Sequence, residues 1–484
     1  MNTLILDALS SFKKLPVFGT EKINSLEIIN SSEYENETFE RIILLQNGNI
    51  DNVPTGIKNI TVVDTSAENI LNIMLKEAKN SENIVVVNAT NPFFDKKFIH
   101  DMFLRHKSFL ADYTYAIGYP DGLVPTILSS SCLKQLQLIA KENEIDVVEC
   151  KDYLFQLLSK EINSFDVETF VAPIDLRIKR ISIGNRDFGE LVFTSLLVEK
   201  LGLEVSYDDL VLFLSKHSEN LFSTIYGMFI DITNKDLTLS TYVFDKKSDV
   251  EFTKIEELEK IIQEIIEINS KMKIVIGNKY EPLIHPEVVA VINSFISNGF
   301  DVIVETFGTE LPENLGEITD NDKVTFVFKI DAQNENTYKT VHPGGNYKNA
   351  IDNYEKVKNM GFKTYFQVIR TMETESDIEL LIKNKQEDIL IKKYSSYCNM
   401  LADKKVVDLS PLERFECYHL RRELYLNSAL DVYYCMYSDK KIGNASCEKL
   451  TELVNKQKNA FILHAQGQKE DFCRECDDYY TFNF

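Results

Sequence analysis

The chain has 484 residues, of which 44% are hydrophobic and 26% charged, enough for two to four domains with separate cores. A formal net charge of −22 repels polyanions and argues against nucleic acid or an anionic membrane surface as a partner. No apolar run approaches the roughly 18 residues of a membrane helix. The first residues carry no basic stretch ahead of their apolar ones, so no export signal is expected. The expected setting is cytoplasmic, with thiols kept reduced and metal sites favoured over disulfides.

Residues 1–184 read as an α/β domain. Apolar strands are expected at 41–45, 60–63, 84–87 and 113–117, with helices at 67–79 and 97–109. That alternation implies a mostly parallel sheet covered on both faces. Residues 185–222 are helical and charged and read as a connector. A second alternation occupies 223–405, with strands expected at 228–232, 273–276, 301–304, 324–328, 364–368 and 388–391. Helices are expected between most of them, at 255–268, 286–297, 347–360 and 376–383. Ile261, Ile262, Ile265, Ile266 and Ile268 give the first of these an apolar face. Six β/α units suit a partial barrel better than a closed one of eight. Near residue 411 the alternation stops. The tail, 406–484, reads as short and poor in long periodic segments, a size that usually needs a staple.

The cysteines offer that staple. Four of the eight fall in the last 68 residues: Cys417, Cys435, Cys473 and Cys476, the final two as Cys-x-x-Cys. Four converging thiolates select zinc or an iron–sulfur cluster, and spacing alone does not separate the two. Cys447 reads as a small buried hydrophobe. Cys132, Cys150 and Cys398 read as isolated core or surface thiols. Asp331 and Arg370 sit at expected strand ends, where a barrel builds its sites, although an ion pair would explain them as well. His285 and His342, each followed by proline, read as ordinary loop histidines. Asp166 and Glu168, two apart, share a strand face and read as a metal pair or a solvated edge.

These residues resemble known families in three places. The tail is similar to a SPASM domain, the cluster-binding extension of radical S-adenosylmethionine enzymes. The likeness runs from Cys417 through Asp431-Val432-Tyr433-Tyr434-Cys435 and Ile442-Gly443-Asn444 to Cys473-Arg474-Glu475-Cys476. It implies one [4Fe–4S] cluster on Cys417, Cys435, Cys473 and Cys476, with zinc as the alternative. The middle is similar to the radical S-adenosylmethionine partial barrel. Gly277-Asn278-Lys279-Tyr280-Glu281-Pro282 resembles its Gly-Glu-Pro motif, and Glu305-Thr306-Phe307-Gly308-Thr309 its Thr-Asn-Gly-Thr turn. That resemblance makes Glu281 a contact for the amino group of S-adenosylmethionine.

The family's Cys-x-x-x-Cys-x-x-Cys is missing. Its positions fall on Asp236, Ser240 and Val243. Oxygen ligands and a valine do not hold a site-differentiated cluster. Cleavage of S-adenosylmethionine is therefore not expected, and Glu281 reads better as a packed turn residue.

Residues 1–184 resemble the Rossmann-like nucleotidyltransferase and glycosyltransferase fold in degenerate form. Asn88, in Asn88-Ala89-Thr90-Asn91-Pro92, stands where such enzymes place a metal-binding carboxylate, and the loop at 9–16 lacks phosphate-cradling glycines. The three-part order resembles the spiro-SPASM proteins of spirochetes. Together these resemblances imply an iron–sulfur protein with a structural, electron-transfer or peptide-binding role. The alternatives are a radical S-adenosylmethionine peptide-modifying enzyme, a nucleotidyl- or glycosyltransferase, and a zinc-stapled interaction protein.

Overall fold

Seven strands build the sheet of the first of two units, Met1–Ser223. They are β1 (Asn2–Ala8), β2 (Phe39–Gln46), β3 (Ile57–Thr61), β4 (Asn83–Asn88), β5 (Tyr113–Ile117), β6 (Thr126–Ser129) and β7 (Val167–Val171). Their order is β3-β2-β1-β4-β6-β5-β7, and β6 alone runs antiparallel to its neighbours. The computed structural model describes residues 2–10, 17–18, 23–31, 39–48, 50–150, 152–243, 250–384, 388–401 and 416–477.

The apolar run at the N-terminus, read above only as no signal, is an interior strand of the sheet, β1. Parallel neighbours on both sides and packed faces above and below bury Leu4, Ile5 and Leu6 in succession, which erases the alternation that marks a half-exposed strand. Successive residues feed opposite cores: Ile5, Ile43 and Val86 one, Leu4, Leu44 and Val87 the other. Helices α1 (Ala67–Glu77), α2 (Lys96–Ser108) and α3 (Ser130–Lys141) cover these faces, capped by Ser66, Asp95 and Ser129, whose side chains accept backbone N–H bonds. The strand expected at 60–63 ends earlier, at Thr61, and Val63 is 94% exposed.

The stretch read as a connector, 185–222, lies inside this unit. Helices α4 (Phe188–Leu201) and α5 (Tyr207–Lys216) bury Phe193, Leu197, Leu210 and Leu214. Tyr207 donates from its hydroxyl to the Phe93 carbonyl (3.2 Å) and from its backbone N–H to Asp95 (3.0 Å).

The second unit, Thr224–Phe484, is built on a nine-stranded sheet. Six strands run parallel in sequence order: β8 (Gly227–Ile230), β9 (Lys273–Ile276), β10 (Val302–Thr306), β11 (Val324–Lys329), β12 (Lys363–Arg370) and β13 (Ile389–Lys393). Helices α6 (Ile255–Asn269), α7 (Val288–Ser297), α8 (Tyr347–Asn359) and α9 (Glu375–Lys383) lie between successive strands. The arrangement is a partial (β/α)6 barrel.

The tail continues this sheet. Strand β14 (Glu423–Leu426) pairs parallel to β8, and β15 (Asp431–Tyr433) and β16 (Lys441–Asn444) follow antiparallel. Contrary to expectation the tail holds a long helix, α10 (Leu450–Ala465). Its buried face alternates Leu450, Leu453 and Phe461 with Gln457 and His464. Those two polar residues dilute the apolar period that would have signalled it. Among the described residues, no helix is long and apolar enough to cross a membrane.

Candidate functional site

The loop after β8 is closed by its own hydrogen bonds. The Asp236 carboxylate accepts from the Thr238 N–H and hydroxyl (2.8 Å each) and from the Ser240 N–H (2.7 Å). Ser240 in turn accepts from the Tyr242 N–H (3.2 Å), and Val243 packs with Tyr280 and Phe307. Asp236, Ser240 and Val243 are thus a turn-forming carboxylate, a hydroxyl and a core methyl pair.

The next loop turns at Gly277, whose φ of +90° and contact with the Glu305 carbonyl leave no space for a Cβ. Glu281 follows, fully buried. Its carboxylate accepts from Leu283 N–H (3.1 Å), Thr306 hydroxyl (2.7 Å), Phe307 N–H (2.9 Å) and Thr309 hydroxyl (3.4 Å). Burial raises its pKa, opposed by these donors and by the Lys329 ammonium. Lys329, at the end of β11, donates to the carbonyls of Gly277 (2.7 Å) and Asn278 (3.2 Å) and lies 4.3 Å from the centre of the Phe307 ring. The chain thereby sets an ammonium of its own on the carbonyls that end β9. Burial pulls the pKa of Lys329 down, and Glu305, Asp231 and Glu281 oppose it.

A cleft opens at the carboxyl ends of the barrel strands, lined by Asn278, Glu305, Phe307, Lys329, Asp331 and Gln367 together with Lys392, Lys393 and four tyrosines. Glu305 pairs with Lys392 at 2.8 Å. Asp331, with a left-handed φ of 56°, accepts from His342 Nε2 (3.1 Å) and from the Ile369 N–H (2.9 Å). Among the described residues, Gln367 Oε1 and Asn278 Nδ2 are buried with no hydrogen-bond partner. Unpaired buried amide atoms are costly and mark a place where a ligand could bond. Arg370 points away and pairs with Glu375, so Asp331 and Arg370 are not an ion pair. His285 is held between the Thr253 carbonyl and the Glu287 N–H.

Five cysteines line a second cavity of this unit: Cys398, Cys417, Cys435, Cys473 and Cys476, walled by Tyr434, Tyr437 and Phe472. Cys417 caps the short helix Tyr418–Arg422, its sulfur accepting the Leu420 N–H at 3.5 Å. Burial raises the Cys435 thiol pKa, and Cys417, Cys476 and Cys473 add to it. Among the described residues, no three His, Cys, Asp or Glu side chains are gathered into a group able to hold a metal ion. The thiols surround a shared space rather than meeting at a point. Tyr437 lines both this cavity and the barrel cleft, and its ring packs on those of Tyr397 (5.5 Å) and His419 (5.3 Å).

Cys398 was not expected here. Tyr397, Cys398 and Asn399 all have left-handed φ, between 49° and 72°. Such non-glycine residues cost on the order of 1 kcal/mol each and persist only where surroundings fix them. Asp477 does the fixing: its carboxylate accepts the Ser396 N–H (3.0 Å) and its carbonyl accepts Lys393 Nζ, tying the loop after β13 to the turn beside Cys476. No linear signal marks Cys398, because it belongs to no short cysteine motif and Cys473 and Cys476 lie more than seventy residues away.

In the first unit, a cleft lies at the carboxyl ends of β1 and β4, lined by Asp7, Asn88, Asp121, Asp152, Tyr153 and Arg186 among others. This is the switch point of the strand order, where open α/β sheets take ligands. Burial raises the Asp7 pKa. Arg186 pairs with Asp121 (2.7 Å) and Glu190 (2.8 Å). The Asn88 amide is committed internally, donating to the Ile183 carbonyl and accepting from Thr90. Glu168 pairs with Arg105 at 2.5 Å, and neither it nor Asp166 lines the cleft.

Comparison with known proteins finds a family match for one stretch of the second unit. Residues 240–384 match the model of the radical SAM superfamily. The matched stretch begins after Asp236 and takes in the barrel from the Ser240 turn through α9. An uncharacterized protein of Treponema pallidum (strain Nichols) is 24% identical over 367 residues, 69% of this chain and 99% of that protein. Among solved structures, Streptococcus suis SuiB bound to precursor peptide SuiA aligns with a TM-score of 0.43 and 12% identity, over 76% of this chain and 92% of that one. A cytidylyltransferase from Leptospira borgpetersenii serovar Hardjo-bovis aligns with a TM-score of 0.36 and 15% identity, over 46% and 95%. Neither of these two likenesses bears on what the chain does.

Proposed function

We propose that the second unit is a radical SAM-type barrel that no longer cleaves S-adenosylmethionine, joined to a tail that holds one [4Fe–4S] cluster on Cys417, Cys435, Cys473 and Cys476. The observation that carries this reading is the exchange of thiols between two places. The loop after β8 has none and is closed by Asp236. The tail cavity is lined by five. Soft thiolates around an apolar space fit an iron–sulfur group, and zinc is the competing occupant. A cluster held by four thiolates supplies rigidity and electron transfer and has no open iron for substrate. The part played by the protein's own residues is binding. Gln367 and Asn278 offer an unpaired acceptor and donor in the cleft, suited to an amide such as a peptide bond, and Tyr437 stands between that cleft and the thiols. The Glu281 carboxylate is occupied by four donors of the chain itself, and Lys329 is occupied by the Gly277 and Asn278 carbonyls, which favours a structural role for Glu281 over a contact to S-adenosylmethionine. Anaerobic incubation of iron- and sulfide-reconstituted protein with S-adenosylmethionine and a strong reductant tests this. No 5′-deoxyadenosine is expected, and its formation overturns the reading.

A second reading concerns the first unit, whose strand order and switch-point cleft favour a nucleotidyltransferase-like binding domain. Magnesium-dependent binding of a nucleoside triphosphate by the full chain, lost in Asp7→Asn, supports it; no binding removes it.

A further inference from the structure

Four thiolates complete a cluster, and the cavity has five. We propose that Cys398 is held against Cys476 as a redox partner, and that the two close a reversible disulfide when the metal group is absent. The proposal rests on the four-thiolate reading above, in which Cys476 is a ligand and Cys398 is not.

Three observations carry it. Cys398 lines the same cavity as the other four cysteines, Cys476 among them. The loop that presents it is wound left-handed over three consecutive non-glycine residues, a conformation its sequence does not favour. The tie that holds this loop, Asp477, is the residue directly after Cys476, so the fixing bonds and the facing thiol come from one turn. Core packing alone would ask only that Cys398 be apolar and would not require a strained loop stapled to the neighbour of its sulfur partner.

The chemistry balances with a hydroperoxide as oxidant. One thiol is oxidised to a sulfenic acid and hydrogen peroxide leaves as water. The second thiol attacks that sulfur, the S–S bond forms, and a second water departs. Two thiols have then lost two hydrogens, and the peroxide has been reduced to two waters. A dithiol reductant restores both thiols by exchange. Cys476 cannot be a metal ligand and a disulfide partner together. The oxidised chain is therefore closed to metal until it is reduced.

The test uses the full chain, stripped of metal with a chelator, reduced, and treated anaerobically with one equivalent of hydrogen peroxide. Peptide mapping without reductant is expected to find the Cys398 peptide linked to the Cys476 peptide. No link, or a preference for another pair among the five, overturns the proposal. Metal uptake is then read with ferrous iron plus sulfide and separately with zinc. Oxidised wild type should lose most of its uptake and regain it after dithiothreitol, whereas Cys398→Ser and Cys398→Ala keep most of theirs at the same peroxide dose. Equal loss in the variants overturns the gate, and failure of the reduced variants to load makes Cys398 a ligand and overturns it too. If the link forms but reduced wild type takes up neither probe, the pair stands and the cluster reading falls. Asp477→Ala, which frees the loop, should slow formation of the link.

Discussion

Glu281 shows how a single buried charge is made tolerable. Four donors meet its two oxygens, and Lys329 is close enough to oppose the effect of burial. Removing one partner of a buried, bonded charge is costly, so Glu281→Ala should destabilise the second unit by about 3–5 kcal/mol, measured by urea unfolding. A cost under about 1 kcal/mol would mean that the four bonds contribute little net stability. The position of Glu281 was legible from Gly277 and Pro282 around it. Its donors were not, because Thr306 and Phe307 arrive on a different strand.

His106 gives a test at the same scale in the first unit. It is buried between Thr114 (2.8 Å) and Asn83 (3.1 Å), and burial lowers its pKa to about 4. The unfolded chain binds a proton near pH 6.5, whereas the folded one does so only near 4. The contribution of His106 is thus fully present above pH 6.5 and is lost progressively as pH falls toward 4. His106→Gln should flatten the stability profile across that window, read from denaturation midpoints between pH 7 and 4. An unchanged slope would contradict the assignment.

Among elements, the loop after β8 and the helix α10 mark the two limits of sequence reading. In the loop, Asp236, Ser240 and Val243 show in the sequence only as an absence of thiols, the ligands an iron–sulfur cluster prefers. What the sequence did not disclose is that Asp236 organises the turn. Asp236→Ala removes three bonds at once and should cost about 1–3 kcal/mol in chemical denaturation, since it leaves backbone N–H groups unpaired. Helix α10 was hidden because Gln457 and His464 occupy its buried face. Gln457 donates to the carbonyl of Leu420, a bond across the tail that periodicity cannot register. Phe461, fully buried on that face, should cost about 3–5 kcal/mol when replaced by alanine, and a neutral result would show that α10 does not hold the tail. Strand β1 escaped because its apolar run, Leu4 to Leu6, is only three residues long and does not alternate.

At the scale of the molecule, each unit places a cleft at the carboxyl ends of parallel strands, and only the second gathers thiols. The six parallel strands were legible because Val and Ile runs alternate with amphipathic helices over most of the unit. The joining of the tail to β8 through β14 was not, since parallel pairing of strands nearly two hundred residues apart leaves no local mark. Cys398 carries no local motif, whereas Cys473 and Cys476 stand out as a Cys-x-x-Cys, and the structure sets all five cysteines around one cavity. The proposed function puts one cluster in the tail and none in the barrel. Iron, acid-labile sulfide and zinc measured on the full chain after anaerobic purification and reconstitution test it most directly. About four iron and four sulfide per chain, lost in the Cys473→Ser, Cys476→Ser double variant, is the expected result. One zinc without sulfide, or about eight iron per chain, would contradict it.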